Sequence, residues 1–198
     1  MKRLELIFTA CVFVAATIAC QAQRSTVSGN GNVKTEERNL PVFNGIRVAS
    51  GIDVELTQGE NQSVVVQTDE NLMEHILTRV EGGLLRIYTE VNIRNAKSRR
   101  IKITMKDIRL LEASSAGDIE GMSPIKGDAL RINISSAGDV EVEVDVNEID
   151  IEISSSGDAD ISGSAGVMKA VISSAGDLNA SELKTREADV RVSSSGDA

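Results

Sequence analysis

Five aspartates stand at nearly equal intervals in the second half of the chain, and carboxylates in such a series could bind a hard cation. Each closes a motif Ser-Ser-Ala-Gly-Asp or Ser-Ser-Ser-Gly-Asp, and successive motif glycines are 21, 19, 19 and 20 residues apart. Ca²⁺ is bound by carboxylate, hydroxyl and carbonyl oxygens, all of which the motif offers. The aspartates are Asp118, Asp139, Asp158, Asp177 and Asp197, and the glycines are Gly117, Gly138, Gly157, Gly176 and Gly196.

A second interpretation of these aspartates is turn chemistry. Asp and Ser side chains commonly accept hydrogen bonds from backbone amides at their own turn. One Asp in about twenty residues is also sparse beside the Gly-Gly-x-Gly-x-Asp calcium repeats, which the sequence does not match. We therefore favour turn chemistry and predict no metal, while the calcium row stays the minority hypothesis.

Residue types suited to catalysis are few. His75 is the only histidine, and the abundant serines therefore lack a base placed to activate a nucleophile. A basic run, which could grip an anionic glycan or form a solvated loop, contains Arg94, Lys97, Arg99 and Arg100. Phosphate-cradling and metal-ligand motifs are absent from the sequence. We predict that the protein is not an enzyme and uses no cofactor.

The segments between the motifs alternate with a period of two, which is typical of β-strands. Val140, Val142 and Val144 share one side and Glu141 and Glu143 the other. Legs of about ten residues fit a parallel β-solenoid with about 20 residues per coil, or an antiparallel meander. We favour the solenoid, since stacked coils explain why the same turn returns after every second leg. In that fold the motif glycines would supply a positive φ at each corner.

The first half of the chain looks like a divergent version of the same pattern with an insertion. Gly31 and Gly51 lie in degenerate motifs 20 residues apart. Asp69 could cap a short helix that runs through His75, and Gly82-Gly83 could join two strands as a hairpin. We predict residues 23–109 to form divergent coils with this capping insertion, and residues 110–198 to form regular repeats of the same continuous domain.

Residues 1–22 have the features of an export signal. A positively charged start precedes an apolar run of fourteen residues, Leu6 to Ala19, which is too short to span a bilayer as a helix. Cys20 is a candidate for lipidation, and ordinary cleavage before Gln23 is the alternative. The net charge of −9 disfavours nucleic acid and anionic membrane surfaces as partners. Membrane contact is thus expected only through a lipid anchor.

An ordered series of motifs resembles the putative auto-transporter adhesin, head GIN domain family. The resemblance covers residues 28 to 198 and includes Phe43-Asn44-Gly45-Ile46, Ser50-Gly51-Ile52-Asp53-Val54 and the Ser-Ser-Ala-Gly-Asp repeats. Where the family often has Gly-Ile-Asn, this chain has Gly-Ile-Asp. The resemblance implies a right-handed parallel β-helix, a place in the envelope of Gram-negative bacteria and an adhesive role. Because members usually continue for at least one more coil, we expect that the chain is truncated after Ala198.

The predicted function is an exported, adhesin-like display or binding scaffold of the cell envelope without catalytic activity. The alternatives are a polysaccharide-binding or polysaccharide-cleaving β-helix and a purely structural envelope protein. Partners would be an envelope or host protein, a surface glycan or a second copy of the chain. Aromatic residues make up only 2% of the chain, which argues against a typical glycan site. The location would be the outer membrane as a lipoprotein, the periplasm, or the medium.

Overall fold

The computed structural model describes residues 25–198, and this part of the chain is built almost entirely of strands. The predicted export signal and Cys20 lie outside the described residues. The strands are β1 (Thr26–Ser28), β2 (Val33–Glu37), β3 (Gly45–Val48), β4 (Asp53–Gln58), β5 (Ser63–Asp69), β6 (Leu77–Glu81), β7 (Leu84–Tyr88), β8 (Asn92–Arg94), β9 (Arg99–Met105), β10 (Leu110–Ser114), β11 (Asp118–Gly121), β12 (Ile125–Ser135), β13 (Asp139–Ile153), β14 (Asp158–Ile172), β15 (Asp177–Asn179) and β16 (Leu183–Val192). Across residues 25–198, no helix has both the length and the apolar character that crossing a membrane requires.

Fourteen of these strands form one curled, mixed sheet with the shape of a half-barrel. Eleven follow a single path in the order β2-β5-β9-β4-β11-β13-β12-β10-β3-β7-β6. β14 pairs with β13 and carries β15 and β16 beyond it, while β1 and β8 form a separate parallel pair. The path passes through β13 because its first half pairs with β11 and its second half with β12.

The all-β class is as expected, but the prediction of a right-handed parallel β-helix is wrong. β5 runs antiparallel to both β2 and β9, and β6 runs antiparallel to β7. The sheet therefore mixes parallel and antiparallel pairs, and the sequence repeat does not make the chain an array of identical coils. The physical reason is that alternation specifies which face a strand buries and leaves its direction to the neighbours it meets.

The core of the curled sheet is aliphatic, as the shortage of aromatic residues requires. Ile46, Leu111, Ile132 and Ile151 are each fully buried. Burying a side chain of this size stabilises the fold by roughly 1.5–3 kcal/mol. In β13 the alternation changes at Asn147, where the pairing with β12 skips a residue, so that Val146 and the isoleucines after it all point inward.

The expected helix and hairpin are both present in the first half of the chain. A 3-10 helix spans Glu70–His75 and buries Leu72, and Gly82-Gly83 joins β6 to β7. Asp69 precedes the helix, but its carboxylate makes no capping bond. That carboxylate is fully buried and accepts hydrogen bonds from the backbone N–H of Gly31 at 2.7 Å and of Lys97 at 3.0 Å. Asp69 thus ties the N-terminal segment to the loop before β9.

Candidate functional site

The motif aspartates lie side by side on the outer surface of the sheet. Parallel pairing sets Asp118 opposite Asp139, and continues the row through the other three. Neighbouring strands are about 4.8 Å apart, so the row is a line of carboxylates at that spacing. A sixth member, Asp53, pairs with Asp118 and was missed. The sequence could have predicted this member, because Asp53 lies in the degenerate Ser-Gly-Ile-Asp motif.

A second acidic row runs parallel to the first, two residues further along each strand. It was also missed, although a period of two from each motif aspartate leads directly to it. A groove of about 510 Å³ lies along the two rows, and Asn179 lies at one end. The second row contains Glu55, Glu120, Glu141 and Asp160. We call the two rows together the acidic face.

Basic side chains neutralise one end of the acidic face. Arg100 Nη1 lies 2.7 Å and Lys102 Nζ 3.2 Å from the carboxylate oxygens of Glu55. Both belong to β9, the neighbour of β4. The surface charge is therefore polarised, with cations beside β4 and a run of carboxylates across β11, β13, β14 and β15.

Partial burial, followed by repulsion between neighbouring carboxylates, raises the pKa of two aspartates in the row. The pKa of Asp118 lies above its ordinary value of 3.8 because of partial burial first, and then because of repulsion by Asp139 and Asp53. The pKa of Asp139 is raised by burial and by repulsion from Asp158. A backbone amide of the next strand opposes the rise in each case, that of Asp139 for Asp118 and that of Asp158 for Asp139.

Removing charge from the row is expected to stabilise the fold at neutral pH. The folded state raises the pKa of both carboxyl groups, so it binds their protons more tightly than the unfolded chain does. The stability gained in this way is fully present below the unfolded pKa, near 3.8, and is lost as the pH rises through the folded pKa. Asp118→Asn with Asp139→Asn should therefore raise the thermal midpoint at pH 7, with a smaller gain at high salt. Thermal unfolding by circular dichroism measures both.

The control for this pair is Asp107→Asn, which removes an exposed carboxylate away from the two rows. It should leave the midpoint nearly unchanged at each salt concentration. A double variant that is less stable than the wild type at pH 7 would show that the amide contacts outweigh the repulsion.

The remaining predicted residues do not converge on a reaction centre. His75 ends the 3-10 helix and lies 3.9 Å from Glu74. Arg94 closes β8, while Arg99 packs beside Gly51 at the end of the acidic face. Among residues 25–198, no three His, Cys, Asp or Glu side chains form a group that could hold a metal ion.

Another outward row of the sheet carries mixed charges that pair with one another. It runs through β3, β10, β12 and β13. Arg47 bonds to Glu112, and Asn133 donates to the same carboxylate at 3.2 Å. In the row beside it, Arg131 lies 3.0 Å from Asp150. The acidic face therefore differs from this surface in the low number of cations within reach of its carboxylates.

The motif turns are built differently from the prediction. The left-handed conformation belongs to the second serine of each motif, with φ of 52° at Ser115 and 63° at Ser155, and in the first two motifs also to the alanine that follows it, but not to the glycine. The glycines are needed for close approach. A Cβ on Gly138 would lie 2.7 Å from the backbone of Ala113, and one on Gly157 would lie 2.5 Å from Ile134. Small residues thus let successive turns stack.

Comparison with known proteins identifies relatives in sequence and in structure. The family described as "Putative auto-transporter adhesin, head GIN domain" matches residues 42–198, which confirms the resemblance drawn from the motifs. No curated protein matches the chain.

Several solved structures share the fold, among them three from Bacteroides and Parabacteroides. A putative adhesin from Bacteroides fragilis NCTC 9343 has 18% identity and a TM-score of 0.81, over 86% of this chain and 80% of that one. A putative lipid binding protein from Parabacteroides distasonis ATCC 8503 has 23% identity and a TM-score of 0.73, over 87% and 83%. A putative adhesin from Parabacteroides merdae ATCC 43184 has 24% identity and a TM-score of 0.67, over 87% and 82%. At these identities the likeness concerns the fold alone.

Proposed function

We propose that this chain, which belongs to the putative auto-transporter adhesin, head GIN domain family, is a non-catalytic scaffold that binds other proteins at the cell envelope. The observation that carries the proposal is the set of in-register rows on the outer surface of the sheet. Side chains in one row are fixed at the strand spacing by backbone hydrogen bonds. Such a surface is open and preorganised, which suits docking of a partner more than enclosure of a substrate.

A protein partner suits this surface better than a glycan does. Sugar sites usually stack their ligand on aromatic rings, and Tyr88 is the only tyrosine of a chain without tryptophan. The polysaccharide-cleaving alternative rested on a β-helix, and with that fold corrected it has lost its basis. A purely structural envelope role remains the second candidate, since paired charges such as Arg131 with Asp150 would serve it equally well.

The family points to a surface or envelope-exported protein, and the finer location is part of the proposal. If Cys20 carries a lipid, five residues separate the anchor from Thr26 in β1, a reach of at most about 20 Å. The sheet would then stand close to the membrane. Labelled palmitate should enter the wild type and not Cys20→Ala, whereas absence of label from both would leave a periplasmic or secreted protein.

Capture from outer-membrane and host-cell extracts tests the binding function. The chain without residues 1–22 is immobilised, and bound proteins are identified by mass spectrometry. Two sets of variants locate the contact. The first is Asp118→Asn with Asp139→Asn on the acidic face, and the second is Arg131→Gln with Asp150→Asn, which removes the ion pair on the other charged surface of the sheet. We expect a protein that binds the wild type and is lost from one set only. Equal capture by both sets, or none by the wild type, favours the structural role.

A further inference from the structure

The loop between β1 and β2 contains an Asn-Gly pair, Asn30-Gly31, at which the chain can react with itself. The backbone nitrogen of a glycine can attack the side-chain amide carbon of the preceding asparagine, because a residue without a side chain leaves its nitrogen accessible. Both residues are exposed, and a Cβ added to Gly31 would meet no atom within 4 Å. The fold therefore leaves room for a succinimide ring at this pair.

The carboxylate of Asp69 is placed to act as a base in this reaction. The backbone N–H of Gly31 donates to Asp69 Oδ2 at 2.7 Å, a distance at which a general base can remove a proton. The other oxygen, Oδ1, accepts the backbone N–H of Lys97 at 3.0 Å, and this bond fixes the orientation of the carboxylate. A nucleophile, a base and a group that orients the base are thus in contact, as activation of a nucleophile requires.

A further hydrogen bond prepares the asparagine side chain for attack. Asn32 donates its backbone N–H to Oδ1 of Asn30 at 3.0 Å. This bond closes a ring that contains Gly31, so it folds the Asn30 side chain towards the Gly31 nitrogen. The same N–H would stabilise the negative charge that develops on Oδ1 when the amide carbon is attacked.

We propose that Asp69 promotes the conversion of Asn30 to aspartate and isoaspartate within the folded protein. Asp69 removes the proton of the Gly31 nitrogen as this nitrogen bonds to Cγ of Asn30. The Cγ–Nδ2 bond then breaks, the proton passes to Nδ2, and ammonia leaves a succinimide behind. Water opens the ring at either carbonyl, which gives an aspartyl or an isoaspartyl linkage to Gly31. The inference is independent of the proposed function, because it concerns the N-terminal segment and not the acidic face.

A second Asn-Gly pair, Asn44-Gly45, provides a comparison within the same chain. Gly45 is buried at the start of β3, and its backbone N–H donates to the carbonyl oxygen of Gly83 at 3.3 Å. A carbonyl oxygen is a much weaker base than a carboxylate. A Cβ on Gly45 would also lie 3.0 Å from the side chain of Leu84, so the space around this pair is filled. The fold should therefore accelerate the reaction at Asn30 and retard it at Asn44.

Conversion of Asn30 would loosen the N-terminal segment from the rest of the fold. Besides Asp69, Asn71 holds this segment, since its side chain accepts the N–H of Asn30 at 2.9 Å and donates to the carbonyl of Ser28 at 2.8 Å. An isoaspartyl linkage lengthens the backbone between Asn30 and Gly31, and either product adds a carboxylate near that of Asp69. Both changes oppose the contact between Gly31 and Asp69. The site thus couples the age of the protein to the attachment of its N-terminal segment.

Ageing of the full chain at neutral pH, followed by peptide mapping, tests the proposal. Trypsin places the two Asn-Gly pairs in separate peptides, because it cuts after Arg24, Lys34, Arg38 and Arg47. Conversion adds about 1 Da, and fragment spectra assign the change to Asn30 rather than Asn32. In the folded wild type, Asn30 should convert at least about tenfold faster than in concentrated urea at the same pH, because unfolding removes Asp69 from Gly31. Asn44 should show the opposite order.

Two variants separate the action of a base from support of the loop. Asp69→Asn keeps an acceptor oxygen but is not a base, so conversion of Asn30 should slow at least about tenfold. Glu70→Gln is the matched control, since it removes the adjacent charge, keeps an acceptor for the Asn32 side chain and should leave the rate nearly unchanged.

The direction of the change decides between the two roles of Asp69. If Asp69 only holds the loop, its loss would free Gly31 and speed conversion of Asn30. Circular dichroism checks that each variant is folded, and if Asp69→Asn is not, the comparison of folded and urea-unfolded wild type decides alone. Conversion of Asn30 that is as fast or faster in folded Asp69→Asn, or as fast or faster in urea, would overturn the proposal.

Discussion

Replacing Asp69 by alanine is expected to lower the free energy of unfolding by about 3 kcal/mol, because two backbone amides then lose their buried acceptor. The amides belong to Gly31 and Lys97, and the Asp69 side chain has no solvent exposure. The carboxylate packs closely against Gly29, where an added Cβ would lie 2.1 Å from its Oδ2. Urea denaturation followed by circular dichroism gives the free energy.

Two further variants separate the buried contact from the loss of a charge. Asp69→Asn keeps one acceptor oxygen, and its free energy of unfolding should lie between those of the wild type and Asp69→Ala. Glu74→Ala removes a carboxylate that is 83% exposed, and its effect should stay within about 0.5 kcal/mol. If Asp69→Ala were as mild as Glu74→Ala, the N-terminal segment would not depend on this side chain.

Replacing Gly163 by alanine should cost a similar amount, about 3 kcal/mol, by forcing β13 and β14 apart. Gly163 has φ of +98°, and an added Cβ would lie 2.2 Å from the carbonyl oxygen of Val144 on the neighbouring strand. A clash with backbone cannot be relieved by a rotamer change. The same urea titration measures the loss.

Gly127→Ala is the matched control for this prediction. Gly127 lies in β12, on the other side of β13, and a Cβ there would meet no atom within 4 Å. Its free energy of unfolding should change by less than about 0.5 kcal/mol. Equal losses for the two alanines would point to a general effect of removing glycine from these strands, and not to the contact with Val144.

The alternation and the motif spacing predicted much of the second half of the chain. They placed Val140 and Val142 inside, and they brought Asp118 and Asp139 together in one row. Both results depend on side-chain period and on stacking of like turns, which are local properties of a strand. The second acidic row was within reach of the same reasoning.

The architecture of the first half could not be predicted in this way. β5 alternates between buried and partly exposed residues as clearly as the other strands do. This alternation does not indicate that β5 runs antiparallel to β9. Asp69 was recognised as a helix-capping residue, but its carboxylate binds Gly31 and Lys97 instead. These partners are 38 and 28 residues distant, and a local pattern does not encode them.

Some parallel strand pairs join segments that are close in sequence, and others join distant segments. This difference also sets the order in which the sheet can fold. Asp139 and Asp158 meet by closing a loop of 19 residues, whereas Gly45 and Leu110 are 65 residues apart. Loop-closure entropy makes the second contact costlier by about 1 kcal/mol, and folding slows as contacts become less local. The strands from β12 to β16 can thus associate step by step, while β3 and β4 join only after a longer search. A chain that folds after export would hold its first half open longest.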